Sequence, residues 1–355
     1  MSDTLTEARE LLDQQKFQEA LELLHTVDEV NSIVKTSIAR ALSGLGRWEQ
    51  AHSLFSEIIQ QDEECHEALA GRGLLYFLTG NFQKAGGDYS KAIEGAPMNG
   101  RYHGLMGVLL AQLGNGPQAL KALESAFDLG CTDPSFMIAR AQIHLATRNQ
   151  EKAEEALAMA DKHGGDEATV AALEGALAML KGDPKEALAS YRFSVEKDPQ
   201  AVNNWMNLLT LTAKLDRPRL LEEALKALEA HPDSEELIQV VVGAYREAGN
   251  PKQAFQVLKD AIERNPQSPL LYFQMGLGLA YSEKFEEAAE QFTKALEIAP
   301  RFPRALDARG NCYERLGKKE DAQADFEKSH EIRKEDAEKM AVQQQMVPPT
   351  TNGAD

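Results

Sequence analysis

The feature that most limits what this chain can fold into is a period of 34 residues. Pro232, Pro266 and Pro300 follow one another at that interval, and Pro97 and Pro199 lie three intervals apart. Alanines keep the same count at Ala51, Ala85, Ala119, Ala153 and Ala187, and again at Ala254, Ala288 and Ala322. Glycines agree at Gly46, Gly80, Gly114, Gly182, Gly249 and Gly317. A second glycine series, Gly73, Gly107, Gly175, Gly276 and Gly310, runs seven residues ahead of the first. Several residue types held in phase over most of a chain mark a tandem array, in which each repeat buries its apolar face against its neighbours.

Residues 269–302, "PLLYFQMGLGLAYSEKFEEAAEQFTKALEIAPRF", show what one repeat encodes. Tyr272, Met275, Gly276 and Leu279 stand at i, i+3, i+4 and i+7, one face of a helix. Phe285, Ala288, Phe292 and Ala295 share a face of a second helix. The small residues Gly276 and Ala288 allow the two backbones to approach, and their bulky neighbours fill the remaining space. Between the halves, "GNF", "GDP" and "GKK" suit a left-handed helix end. Pro300 then ends the second helix, because it lacks an amide hydrogen and restricts the residue before it. The endings "YSKAIEGAP", "YRFSVEKDP", "LKDAIERNP" and "FTKALEIAP" are helix terminations of this kind.

This combination of aromatic, Leu or Met, Gly and Tyr, then Gly, aromatic, Ala, aromatic, Ala and Pro resembles the tetratricopeptide repeat. Ten repeats begin near residues 1, 32, 66, 100, 134, 168, 202, 235, 269 and 303. The first and seventh are least regular: the seventh is one residue short and has Leu221 where a small Ala is expected, while Trp205 falls on the buried aromatic position. That predicts a stacking defect or altered curvature, without a separate domain. The resemblance implies an all-α fold, a right-handed superhelical solenoid of about ten antiparallel helix pairs whose first helices line a concave groove. The array is expected over 1–333, a helical extension or cap over 334–345, and a disordered tail over 346–355.

Composition fits the array and narrows its function. The hydrophobic fraction of 43% supports a folded core, and Ala, Leu and Glu favour helices. A formal charge of −18 argues against nucleic acid and anionic membrane as partners. No apolar stretch reaches the roughly 18 residues of a membrane span, and the polar, acidic start does not read as a signal peptide. Cys65, Cys131 and Cys312 are odd in number and far apart, which suits reduced thiols in a cytoplasmic protein. No phosphate-binding loop, dinucleotide fingerprint, metalloprotease helix or nucleophile elbow occurs, so no catalytic residue, cofactor or metal is expected. His144 stands where other repeats place Tyr76, Tyr245 or Tyr313, and reads as a packed histidine rather than a metal ligand. Acidic pairs such as Glu222–Glu223 and Glu286–Glu287 read as solvated faces.

Binding is left. The Lys and Asn clamp with which some members of the family hold a peptide's terminal carboxylates is absent at repeat positions 5 and 9. Instead, positions 5, 9 and 12 of repeats three to seven read Ala70, Leu74, Phe77; Gly104, Val108, Ala111; Ile138, Gln142, Leu145; Ala172, Ala176, Met179; and Met206, Thr210, Ala213. The ninth repeat continues with Phe273, Leu277 and Ala280, and none of these residues carries a charge. The candidate contact residues are therefore Leu74, Phe77, Val108, Ile138, Leu145, Met179, Met206, Phe273 and Leu277. They either pack between neighbouring helices or form an exposed apolar trough. A trough fits a non-catalytic scaffold that binds a protein or peptide through an apolar or amphipathic segment. The alternative is a self-associating assembly protein whose groove is filled by a segment of its own kind.

Overall fold

The protein is described by a computed structural model covering residues 3–27 and 31–346. Except for Met346, the segment read as a disordered tail lies outside the described residues. Every regular element among the described residues is helical. The described chain divides after Lys197 into two compact bodies, where the periodicity alone suggests one continuous array.

The N-terminal body holds α1 (Asp3–Asp13), α2 (Phe17–Leu24), α3 (Ser32–Gly44), α4 (Trp48–Gln61), α5 (His66–Leu78) and α6 (Phe82–Gly95), followed by α7 (Gly100–Gln112), α8 (Gly116–Asp128), α9 (Pro134–Ala146), α10 (Gln150–Lys162), α11 (Glu167–Lys181) and α12 (Pro184–Lys197). The C-terminal body holds α13 (Val202–Leu215), a 3-10 turn at Arg217–Arg219, α14 (Leu220–Ala230), α15 (Glu235–Glu247), α16 (Pro251–Arg264), α17 (Pro269–Tyr281), α18 (Phe285–Ile298), α19 (Pro303–Arg315) and α20 (Lys319–Met346). Odd and even helices pair in succession as helix hairpins, and within each body first helices also touch the first helices of the next repeat. The result is an all-α solenoid.

The periodic markers have the physical roles their chemistry suggests. α6, α12, α14, α16 and α18 each end two residues before a proline of the series. Position 15 of nearly every repeat takes a left-handed backbone, with φ of 83° at Gly182. Gln15, Arg148 and Glu283 hold the same conformation without glycine's freedom. The second glycine series marks a close approach within the five hairpins that carry it. A Cβ built on Gly276 would lie 2.5 Å from the Phe292 ring, and Gly73, Gly107, Gly175 and Gly310 meet Tyr89, Leu123, Tyr191 and Phe326 in the same way.

Beside this contact, repeats three and ten add a buried ion pair. Arg72 donates from Nε and Nη2 to the two carboxylate oxygens of Asp88, both at 2.8 Å. Arg309 grips Asp325 likewise at 2.8 and 2.7 Å, and its Nη1 donates to Thr293 Oγ1 at 3.0 Å.

The seventh repeat inverts the usual packing order. Counted back from Ala254, the small-residue position falls on Leu220, one place before the Leu221 that the forward count selects. At the glycine position stands Leu209 and at the aromatic position Ala224, buried to 2% and 0% exposure. The Thr212 hydroxyl donates to Glu223 within the same hairpin. Trp205 is buried as its position requires, and its Nε1 donates to the Pro199 carbonyl at 2.9 Å.

Two outcomes check this packing. Ala288 is fully buried, so Ala288→Leu should cost about 1–3 kcal/mol in urea unfolding, while Glu287→Leu on the exposed face costs little. Asp325→Ala strands a largely buried guanidinium and should cost about 3–5 kcal/mol, most of it recovered when Arg309→Met is added to Asp325→Leu.

Candidate functional site

The first helices of the N-terminal body curve around a cavity of about 870 Å³. The ends of α1 and α5 bring Leu12, Leu74 and Leu78 to it, and the start of α2 adds Phe17. Two glycines let aromatic rings lie flat under this floor. A Cβ on Gly44 would fall 2.4 Å from the Phe17 ring, and one on Gly71 equally close to Phe55. Leu78 is 53% exposed, so much of its side chain is free for contact.

The walls are charged in both signs. Arg40 Nη2 of α3 lies 3.2 Å from Asp13 Oδ1 of α1, and Arg101 Nη1 of α7 lies 3.9 Å from Asp133 Oδ2. Arg9 reaches Glu67 of α5 at 3.4 Å. Each of these pairs joins first helices of different repeats, or a first helix to the residue that caps another. Asp133 has two tasks, because its Oδ1 also accepts from the Ser135 amide at 3.0 Å and so caps α9. A neighbouring hollow of about 270 Å³ shares Asp13, Arg40, Gly71, Leu74 and Arg101 and is closed by Tyr102 and Leu105. Burial, then the nearby Glu67, pushes the Tyr102 hydroxyl up to about 12, so it stays protonated and bonds His66 Nδ1 at 2.8 Å.

The residues anticipated from repeat positions 5, 9 and 12 differ in how far they are buried. Leu74 lines both cavities. Met179 is 44% exposed. Phe77, Val108, Ile138 and Leu145 are half-buried and pack against core clusters that join their own repeat to the next, Phe77 with its ring centroid 5.8 Å from that of Phe82. In the C-terminal body, Met206 and Leu277 are half-buried. Phe273 is a core residue instead: it is 3% exposed, with its ring 5.7 Å from Phe292 and 5.0 Å from Phe302. Phe302, the last residue of the same repeat and the one that precedes α19, closes over it, which removes Phe273 from any contact surface.

Reasoning from three repeat positions missed Leu78, Arg101 and Asp133. A usable signal was present: Leu78 is an apolar residue two places before a turn glycine, outside the buried helical face. Among the described residues, no group of three or more His, Cys, Asp or Glu is placed to hold a metal ion, and no helix is long and apolar enough to cross a membrane. Cys65, Cys131 and Cys312 are unpaired thiols.

Comparison with known proteins agrees with this architecture. Tetratricopeptide repeat models match residues 36–99, 105–168, 243–268, 269–302 and 303–336, together more than half of the chain. DnaJ homolog subfamily C member 7 of Homo sapiens is 24% identical over 280 residues, covering 77% of this chain and 52% of that protein. Its Mus musculus counterpart matches over the same extent at the same identity. This chain thus corresponds to about half the length of the curated relatives it matches. Among solved structures, PilW, described as a widely conserved type IV pilus biogenesis factor, superimposes with a TM-score of 0.54 at 16% identity, covering 60% of this chain and all of that one. With the 34-residue period, the hairpin packing and these matches in agreement, the chain belongs to the tetratricopeptide repeat family.

Proposed function

We propose that the protein is a non-catalytic interaction scaffold whose N-terminal body holds a segment of a partner protein in its concave groove. The observation that carries this reading is the 870 Å³ cavity, with an apolar floor and walls of paired charge. A floor of Leu12, Leu74 and Leu78 rewards an apolar side chain, and burying one of leucine size contributes about 2 kcal/mol. The paired walls add orientation: Arg40 and Arg101 offer donors to a peptide backbone or acidic side chain, and Asp13 and Asp133 offer acceptors. An amphipathic or extended segment with apolar residues on one side meets both demands.

Affinity capture with the intact chain, beside Leu78→Asp and Glu286→Lys variants, tests the assignment. Leu78→Asp places a charge on the floor and should weaken capture of the partner by more than about tenfold. Glu286→Lys, on an exposed face of the C-terminal body, should leave capture unchanged. Equal behaviour of the two variants, with folding retained, rejects the groove. Elution of the purified protein at twice its mass, abolished by Leu78→Asp, would assign the groove to a second copy of the chain.

Salt provides a separate check. The wall charges are paired and balance, so affinity should fall less than about threefold when salt is raised about tenfold. A steep loss would transfer the interaction to the acidic outer faces.

A further inference from the structure

His144 is the one buried residue among the eight histidines, at 3% exposure. Its Nε2 has no hydrogen-bond partner. In two other repeats a polar side chain at the same position does have one. The Tyr76 hydroxyl lies 3.1 Å from His52 Nε2, and the Thr212 hydroxyl donates to Glu223. One turn before His144, Arg140 leaves its own Nε unpartnered and reaches Glu155 only at 3.6 Å. A neutral imidazole tolerates such a place, whereas an imidazolium would be a buried charge without a counterion in contact.

The charges that face the ring come from three helices. Arg140 stands on α9 itself, Lys152 and Glu155 on α10, and Glu124 on α8. α7 and α11 also pack on α9, but among the described residues they contribute no charge that acts on the ring. Burial, then the two cations, hold the imidazole's affinity for a proton below its ordinary range, against the weaker pull of the two glutamates. The turn that follows is itself strained: Arg148 holds a φ of 56° at a position where Gly46, Gly80, Gly114 and Gly182 occupy the left-handed region freely.

We propose that the α9–α10 hairpin is a proton-operated weak point of the N-terminal body. A proton taken up by His144 adds an unpartnered charge beside Arg140, and the hairpin opens to hydrate it. The movement reaches the groove wall, because α9 starts at Pro134 and its cap Asp133 holds Arg101. The unfolded chain binds this proton more readily than the folded one. Stability of the hairpin is therefore complete above about pH 6.5 and is lost as pH falls below it, with opening favoured up to about tenfold per pH unit.

Hydrogen exchange of the intact protein, corrected for its intrinsic pH dependence, tests this at about pH 7.5 and about pH 5.5. Protection across 134–162 should fall about tenfold at the lower pH relative to 285–298, a segment without histidine. His144→Leu should abolish that fall; Leu42 and Leu110 already stand at this position in repeats two and four. An equal fall in both segments, no fall, or a fall that persists in His144→Leu overturns the proposal. If that variant does not fold, the imidazole resonances of the unsubstituted protein decide. His144 must titrate below the ordinary imidazole value, and titration at that value overturns the proposal.

Discussion

The fold rests on close helix pairing, drawn tightest in four hairpins where a glycine of the first helix meets the flat ring of an aromatic residue sixteen places later. At Gly276 and Phe292 there is no room for even a methyl group between them. Two helices this close leave little interior space, and alanines such as Ala288 and Ala295 fill it from the other side. Backbone proximity sets the hairpin angle, the hairpin sets the step to the next repeat, and the steps set the curvature of each body. The buried Arg72–Asp88 and Arg309–Asp325 pairs use the same sixteen-residue spacing one place earlier. They add directional bonds where the glycine contact supplies only shape.

Repeat seven shows that hairpin geometry can be met by exchanging the partners. Leu209 and Ala224 take the large and small roles that glycine and an aromatic residue take elsewhere, and a buried Thr212–Glu223 hydrogen bond accompanies the exchange. Such a hairpin keeps its core. The chain's division into two bodies falls just before it.

Much of this was legible in the sequence because the markers answer to backbone geometry. A proline ends a helix wherever it falls, a left-handed turn selects glycine, and a close crossing selects glycine or alanine. The contact surface was less legible because exposure is decided by residues outside the repeat that carries the side chain. Phe273 reads as available, but Phe302 closes over it and its core cluster takes in Ala305 and Leu306 of the next repeat. Leu78, at the end of α5, is a floor residue because α2, α3 and α9 contribute to the same cavity. The ion pairs of the groove were equally hidden: Arg40 with Asp13, and Arg9 with Glu67, link residues from different repeats. A periodic reading predicts what each repeat has in common and is silent on where two repeats differ.

The sixteen-residue spacing of the glycine–aromatic contact also bears on how the chain acquires its structure. Each hairpin closes a short loop, and each later contact joins it to a neighbour within about one more period, so little closure entropy must be met before packing begins. Contact order stays low however many repeats are added. A nascent chain can thus consolidate one hairpin at a time, in the order of synthesis, each new first helix docking on an already formed second helix. Successive repeats within a body then differ less in how they fold than in how long each remains an unfinished end.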